Sequence, residues 1–486
     1  MNHIIKLVLL LLCVAMCACK SDMVREDSTM RLSFSTDTLC FDTIFTEAGS
    51  TTARVMIYNK NAYAMRIRTI DMPYNSCFHL NVDGETDPDN WHDIELRGGD
   101  SMFLFVQVKI NPQKRDDPVF IEEKVAFVSN GNTDTLVLQA YGQDVIRLAR
   151  KGRSDVAAYH FTAKRPYLII DTLVIYDEAT IEAGTTIYMH KGALLYCMGN
   201  MTAEGTLEQP IRILGDRRDQ LFDKVPYAYA AGQWDGVYLV QSSGNTGRTN
   251  SRTSNTGSSG CQWNLNHVDI TSGNIGLYCW GDSTTNLPHL HLQNSRIHNM
   301  AAYGLVLRNV NAEVENSEIS NAAGYCAYLS GGKHRFTHTT VASYFNATNV
   351  RIQSTAREDV AAVYINNLNK QQAKDSTSFV NSIIAGARKN QLVVATPFDR
   401  YYPGRFEGCY LQTDTLQLPG AVNNMYGTNK DTMFVNTYYE YEVYEYYDFH
   451  LDSLSPARGI GLAAYALPYD REGVPRTDSI QAGCYQ

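Results

Sequence analysis

The sequence predicts an all-β chain, a β-sandwich followed by a parallel β-solenoid. Three observations carry that expectation. The phrase NSRIHNMAAYGLVL, from Asn294, returns as NSEISNAAGYCAYL, from Asn316, 22 residues later. That spacing is too short for a helical-pair repeat and close to one coil of a parallel β-solenoid. Residues 30–145 alternate short β-like runs with polar turns, the pattern of a sandwich. Ile181 to Gly215 strings short apolar pieces between glycines and polar corners, with no helical period.

The 486 residues, 44% hydrophobic and 19% charged, have globular composition and enough apolar material for a large core in two or three domains. A net charge of −9 argues against a phosphate-binding surface, so nucleic acid is not expected as a partner. The opening stretch, MNHIIKLVLLLLCVAMCACK, has one lysine and then an apolar run that fits a secretory signal and is too brief to span a bilayer. Residues 1–18 are therefore expected to be a signal peptide and 19–29 a tether. The end of the run, MCACKSD, resembles the lipobox of bacterial lipoproteins, with Ala18 directly before Cys19 and Met16 in place of the preferred Leu. The resemblance implies that Cys19 is lipidated and becomes the mature N-terminus. Acyl chains contribute ~0.8 kcal/mol per buried methylene, enough for durable attachment to the outer membrane, on its periplasmic or cell-surface face.

Of the 11 cysteines, Cys40, Cys77, Cys197, Cys261, Cys279, Cys326, Cys409 and Cys484 lie beyond this segment. None forms a C-x-x-C, so a zinc or thioredoxin-like motif is unsupported. Cys40 with Cys77, both in the first domain, is the disulfide pair to test in an oxidising compartment. Most of the others sit in apolar strand patterns and are expected to be buried structural residues.

Residues 30–145 contain RLSFS, TARVMIYN, MRIRTI, FHLNV, SMFLFVQVKI, EKVAFVSN and DTLVLQAYG as seven strand candidates. The phrases TARVMIYNKNAYAMRI, GGDSMFLFVQVKINP and DTLVLQAYGQD resemble the immunoglobulin-like domains of the ASPM/SPD-2/Hydin family, which implies a spacer or adhesion module. Within this domain DGETDPDN, Asp83 to Asn90, crowds carboxylates as a Ca2+ loop does, but lacks EF-hand order. An acidic, solvated turn is the preferred reading. No cofactor is expected, with Ca2+ there as the one alternative.

Residues 146–159 are expected to be a linker and 160–486 the solenoid, with a flexible insertion at 241–260, QSSGNTGRTNSRTSNTGSSG, which lacks apolar residues. IEAGTTIYMHKGALLYCMGNMTAEGTLEQPIRILG, then GQWDGVYL, then the closing DFHLDSLSPARGIG and DREGVPRTDSIQAGCYQ, resemble right-handed parallel β-helix proteins of the pectate-lyase-like superfamily. The likeness covers roughly two thirds of the chain and specifies fold far better than chemistry. Coils stacked at ~4.8 Å put residues one period apart directly above one another. The expected inward column is Ile270, Ile297, Ile319, Val341, Ile384 and Leu411, with Val314 over Phe336 as another. Asn299 and Asn321, matched by Ser272 and Ser343, are expected to hold a corner.

Many relatives with that fold cleave acidic polysaccharides. From residue 155 onward the chain has none of the NTD, DD or GHG phrases of polygalacturonase-type hydrolases, and it has no RxPxxR phrase of the lyases. Asp269, Arg296, Glu318 and Thr340 form one column. Asp269 and Glu318 would stand ~10 Å apart, near the spacing of inverting glycosidases. Arg296 between them would stop either from keeping the proton of a general acid, so an exposed ion-pair ladder is expected, repeated by Glu313 and Arg335. Lys333, His334 and Arg335 in GGKHRF, and Arg388 with Lys389 in GARKNQ, are candidates for lyase chemistry, a base beside a uronate and an arginine to stabilise the enolate. TYYEYEVYEYYDFH supplies Tyr438, Tyr439, Tyr441, Tyr444, Tyr446 and Tyr447, which either stack on sugars or a protein partner, or cover the open end of the solenoid. The expected function is an envelope-anchored, non-catalytic protein binding a polysaccharide or an envelope protein. A polysaccharide lyase for acidic glycans and a structural subunit of an outer-membrane assembly are the alternatives.

Overall fold

The computed structural model describes residues 23–222, 225–241, 260–281, 287–345, 360–366, 376–395, 404–413, 421–428, 432–437, 447–477 and 479–486. The signal segment with Cys19, the interior of the 241–260 insertion, and Tyr438, Tyr439, Tyr441, Tyr444 and Tyr446 lie outside the described residues. The chain divides into two compact units, Met1–Val145 and Ile146–Gln486.

The first unit has two sheets. Ser33–Phe34, Ala53–Tyr58, Ser101–Val108 and Phe78–Val82 form a four-stranded antiparallel sheet in that spatial order. Thr38–Phe45, Asn132–Gln143, Val119–Ser129, Met65–Asp71 and His92–Leu96 form a five-stranded one, antiparallel except for its first pair. The alternation that marked each run in the sequence also sets its inward face. Val55, Ile57, Leu104 and Val106 from one sheet and Ile67, Val125, Phe127 and Leu136 from the other are fully buried in one cluster. All seven expected runs are strands. Thr38–Phe45 and His92–Leu96 were not expected. The first has a register shift between Cys40 and Thr43 that breaks its alternation, and the second buries only Leu96.

In the loop Asp83–Asn90, the Glu85 carboxylate accepts from the N–H groups of Thr86 and Asp87, and Asp87 caps the short 3-10 turn Pro88–Asn90. These oxygens serve the turn's own backbone. Cys40 and Cys77 are unbridged, one exposed on Thr38–Phe45 and the other half-buried before Phe78–Val82.

The second unit is built on long parallel ladders. Ile146–Leu148 starts an eleven-stranded sheet, pairing in parallel with Tyr167–Ile169, and Ser154–Phe161 pairs in parallel with Thr172–Glu182. The expected linker 146–159 is therefore corrected: Ile146, Leu148, Val156 and Tyr159 pack onto the same core as the rest of the unit. Its apolar residues are too few to register as a run, yet the parallel partner covers them.

The other parallel strands form two further ladders. One runs through Leu194–Cys197, Trp234–Gln241, Gly273–Gly281, Tyr303–Arg308, Ala327–Ser330, Val363–Asn366 and Leu392–Val394. The second runs through Asn200–Glu204, Gln262–Asn266, His289–Gln293, Asn311–Glu315, Lys333–Thr337, Ser376–Val380 and Phe406–Glu407. The chain visits the three ladders in turn, an arrangement compatible with a β-helix or related solenoid.

The aliphatic column is present in the expected register: Ile270, Ile297, Ile319, Val341, Ile384 and Leu411 are consecutive partners, and all six are fully buried. Val314 lies over Phe336, whose ring stacks on Phe379 at 4.4 Å, with Phe406 a further 5.6 Å on. Ser272, Asn299 and Asn321 turn one corner with φ of 70°, 58° and 52°. Asparagine tolerates this left-handed backbone because its short side chain bonds locally. Ser343 is not left-handed in this way; Asn321 Oδ1 instead accepts from the following Tyr344 N–H at 3.1 Å. A second left-handed column, His267, Asn294, Asn316, His338 and Asn381, marks another corner. The end of the chain packs along it: Arg476 donates to Asn316 Oδ1, and Asn381 Nδ2 donates to Leu462 O.

Candidate functional site

Strict alternation on four stacked strands separates a core face from an outward face. Leu290, Leu292, Ala312, Val314, His334, Phe336, Thr377 and Phe379 are buried. The intervening residues point outward, as side chains of period two must. They form two columns, His289, Asn311, Lys333, Ser376 and His291, Glu313, Arg335, Ser378. Lys333 N–H donates to Asn311 Oδ1 at 3.1 Å, which ties one coil to the next. All residues of these columns except His291 line a groove of about 440 Å³, to which Arg405, Glu407 and Tyr465 also contribute.

The charges in the groove are unevenly matched. Glu313 turns to His291, Nδ1 to Oε2 at 3.2 Å, although Arg335 is its neighbour in register. The expected Glu313–Arg335 pair is thus corrected: Glu313 has a partner one coil in the other direction. Lys333 and Arg335 are exposed, and neither makes a salt bridge among the described residues. The rings of His289 and His291 stack with centroids 4.2 Å apart. Burial, and then the neighbouring His291, push the His289 imidazole below its ordinary value, against the pull of Glu313.

The other sequence candidates fall elsewhere. His334 is 4% exposed and faces the core, its Nδ1 2.9 Å from Thr377 Oγ1, and burial pushes it down to about 4. The proposed Lys333, His334, Arg335 cluster is therefore split, because neighbours on a strand point to opposite faces. Arg388 is half-buried and donates to Val360 O at 2.8 Å, a bond that braces a turn. Lys389 is exposed in the same turn. Tyr447 is half-buried, its ring stacked on Phe449 at 6.1 Å, and belongs to the packing of the chain end.

The Asp269 column has a different setting from the exposed ladder expected. Asp269 is held by Arg296, Nη2 to Oδ2 at 2.9 Å, and by His298 Nε2 at 3.0 Å. Burial opposes its charge, but Arg296 and His298 overcome this and keep the carboxyl well below the usual range. Glu318 is 4% exposed and accepts from Tyr485 O–H and from Ser320 O–H, both at 2.5 Å. The chain end thus covers this column. Neither carboxylate lines the groove formed by the His289 and His291 columns.

The sequence reading missed His289 and His291, although the signal was there. PHLHLQ carries histidines two apart on one strand face, and Glu313 follows His291 by the same 22 residues as the repeat. It also missed half-buried tyrosines stacked along the Leu194–Cys197 ladder: Tyr196, Tyr238 and Tyr278 at 6.1 and 4.9 Å, and Tyr328 on Tyr364 at 5.2 Å.

Fold and site together define a nearly all-β protein with long parallel sheets and an outward, cation-bearing groove. No family model and no curated protein matches the chain. Among solved structures, a protein of unknown function from Porphyromonas gingivalis W83 matches over 26% of this chain and 50% of its own, at 17% identity and a TM-score of 0.18. A family 123 glycoside hydrolase from Clostridium perfringens, described for glycolipid glycan hydrolysis, matches over 24% of this chain and 30% of its own, at 6% identity and a TM-score of 0.19. The chain thus spans half or less of the length of either structure, and likenesses of this size bear on neither its fold nor its chemistry.

Proposed function

We propose that this chain is an envelope lipoprotein, anchored through Cys19, in which an immunoglobulin-like sandwich carries a right-handed parallel β-helix of the pectate-lyase-like kind. Its groove binds an acidic polysaccharide without cleaving it. The observation that carries this reading is Lys333 with Arg335: two exposed cations on alternate positions of one strand, without salt-bridge partners among the described residues. Alternate side chains on a strand stand ~7 Å apart, a spacing that lets both meet carboxylates of one extended polymer. Ser376 and Ser378 add hydroxyls beside them in the same columns.

The imidazole of the GGKHRF phrase lies inside the core, so His334 cannot serve as the base of a lyase beside Lys333 and Arg335. The test is calorimetric titration of the full-length protein with polygalacturonate and with alginate, at low and moderate salt. Each partly screened charge is worth ~0.5–1 kcal/mol, so Lys333→Ala with Arg335→Ala should weaken binding roughly tenfold and flatten its salt dependence. New unsaturated uronate ends, abolished by the same substitutions, would instead establish a lyase. Co-purification with outer-membrane proteins and no glycan binding would establish a structural subunit or a binder of an envelope protein.

A further inference from the structure

We propose that His289, His291 and Glu313 form a binding site for a divalent first-row metal ion, best matched by zinc, whose open coordination positions face the groove. The inference is independent of the glycan reading. Among the described residues, these are the three His, Cys, Asp or Glu side chains whose ligand atoms all lie within 4.8 Å of one another. Two imidazoles and one carboxylate make a three-ligand set that leaves room for a water or an exogenous ligand, a composition suited to zinc. Calcium and magnesium would demand six or more oxygens, which this site does not offer.

The geometry follows from the ladder. His289 and His291 are two apart on His289–Gln293 and so share its outer face, while Glu313 lies directly opposite His291 on the next coil. One pair of their ligand atoms, His291 Nδ1 and Glu313 Oε2, is 3.2 Å apart. A tetrahedral ion with bonds of about 2.0–2.1 Å needs ligand atoms roughly 3.3 Å apart. His289 Nε2 is a buried polar atom without a hydrogen-bond partner among the described residues. Such atoms are uncommon and call for an explanation.

The two imidazoles are stacked at an interplanar angle of 18°. A nitrogen lone pair lies in the plane of its ring, so parallel rings cannot aim at one ion. Metal uptake therefore requires His289 to rotate about χ2, a soft torsion, and this frees its buried nitrogen. Arg335, next in the column after Glu313, stands where it can pair with an anionic ligand on the open positions. The chemical class expected there is a carboxylate, held by the ion on one side and the guanidinium on the other.

Other histidine–carboxylate groups lack this convergence. His450 meets Asp448 at Nδ1 and Glu472 at Nε2, on opposite edges of its ring, so no single ion can take all three. His190 has Asp216 as its single carboxylate partner among the described residues.

The test uses the full-length protein in detergent, stripped with a chelator and titrated calorimetrically with zinc alone, and separately with cobalt to read the visible ligand-field spectrum. One equivalent should bind with a dissociation constant in the micromolar range or tighter, with a tetrahedral cobalt spectrum. His289→Ala, His291→Ala and Glu313→Gln should each weaken binding at least tenfold, and His190→Ala should not. All three site residues are partly exposed, so the variants should keep the wild-type circular dichroism spectrum. No zinc uptake at 100-fold the protein concentration, or uptake unchanged in all three variants, overturns the proposal. Failure to bind polygalacturonate would leave it standing, and success there would not rescue it.

Discussion

Tyr485→Phe removes one oxygen atom and tests whether the chain end is latched onto the ladder by hydrogen bonding. The Tyr485 hydroxyl donates to Glu318 Oε2 at 2.5 Å, and the side chains are 5% and 4% exposed. Burial, and then Glu318, raise the phenol well above its ordinary value, so it stays protonated and remains the donor. In the variant the ring still packs on His450, whose centroid is 4.1 Å away, and Ser320 still donates to the other carboxylate oxygen. The loss is therefore one hydrogen bond to a buried charge, worth about 1.5–3 kcal/mol. At ~2 kcal/mol, the segment should open roughly 30-fold more often.

Amide hydrogen exchange reads this directly. Gly483 N–H donates to Asn381 O at 2.8 Å and Cys484 N–H to Thr340 Oγ1 at 3.1 Å, and both should lose protection. Amides of the Ile297 and Ile319 strands should keep theirs. A global denaturation curve is a poorer probe, because two units need not unfold together. Unchanged exchange at Gly483 and Cys484, or uniform loss along the whole ladder, would refute the latch. The double variant with Glu318→Gln should cost less than the sum of the two single ones, as coupled partners do.

Two further outcomes follow from burial. His334 is neutral in the core and titrates at about 4, against 6.5 for the unperturbed group, so the unfolded chain binds the extra proton between those values. Stability should therefore fall by roughly 3 kcal/mol as pH drops from 6.5 to 4 and change no further on this account below that; the thermal midpoint of His334→Gln should be less pH-dependent in this window. An equal slope in the variant would contradict this. Among the eight cysteines beyond residue 22, Cys40 is exposed, while burial pushes Cys197, Cys326, Cys409 and Cys484 up to about 12. One thiol should react rapidly with an aromatic disulfide reagent under native conditions, and Cys40→Ser should abolish that phase. Fast modification of several thiols would contradict the packing of the core.

The stacking of the second unit was legible in the sequence because parallel strands stacked in register turn sequence period into spatial contact. A spacing of 22 residues between Asn294 and Asn316 is enough to place Ile297 on Ile319 and Arg296 on Glu318, whatever lies between. Alternation likewise placed Leu104, Phe127 and Leu136 inside the first unit, since strand side chains change face at every residue. It also had the power to separate His334 from Lys333 and Arg335, and to align His291 with Glu313. Those inferences need only the period and the pleat.

Other features depended on contacts between parts of the chain that no local pattern links. Ile146–Leu148 resembles a linker until a parallel neighbour covers it. Glu318 is an exposed ladder residue by register, and becomes a buried hydrogen-bond acceptor because Tyr485, 167 positions later, closes over it. Arg335 has no salt-bridge partner among the described residues because Glu313 has two neighbours in its column and turns to His291. Sequence period determines which side chains are neighbours; tertiary packing decides which neighbour each charge chooses and which column remains open to solvent, because both depend on competing partners and on segments that return from far along the chain.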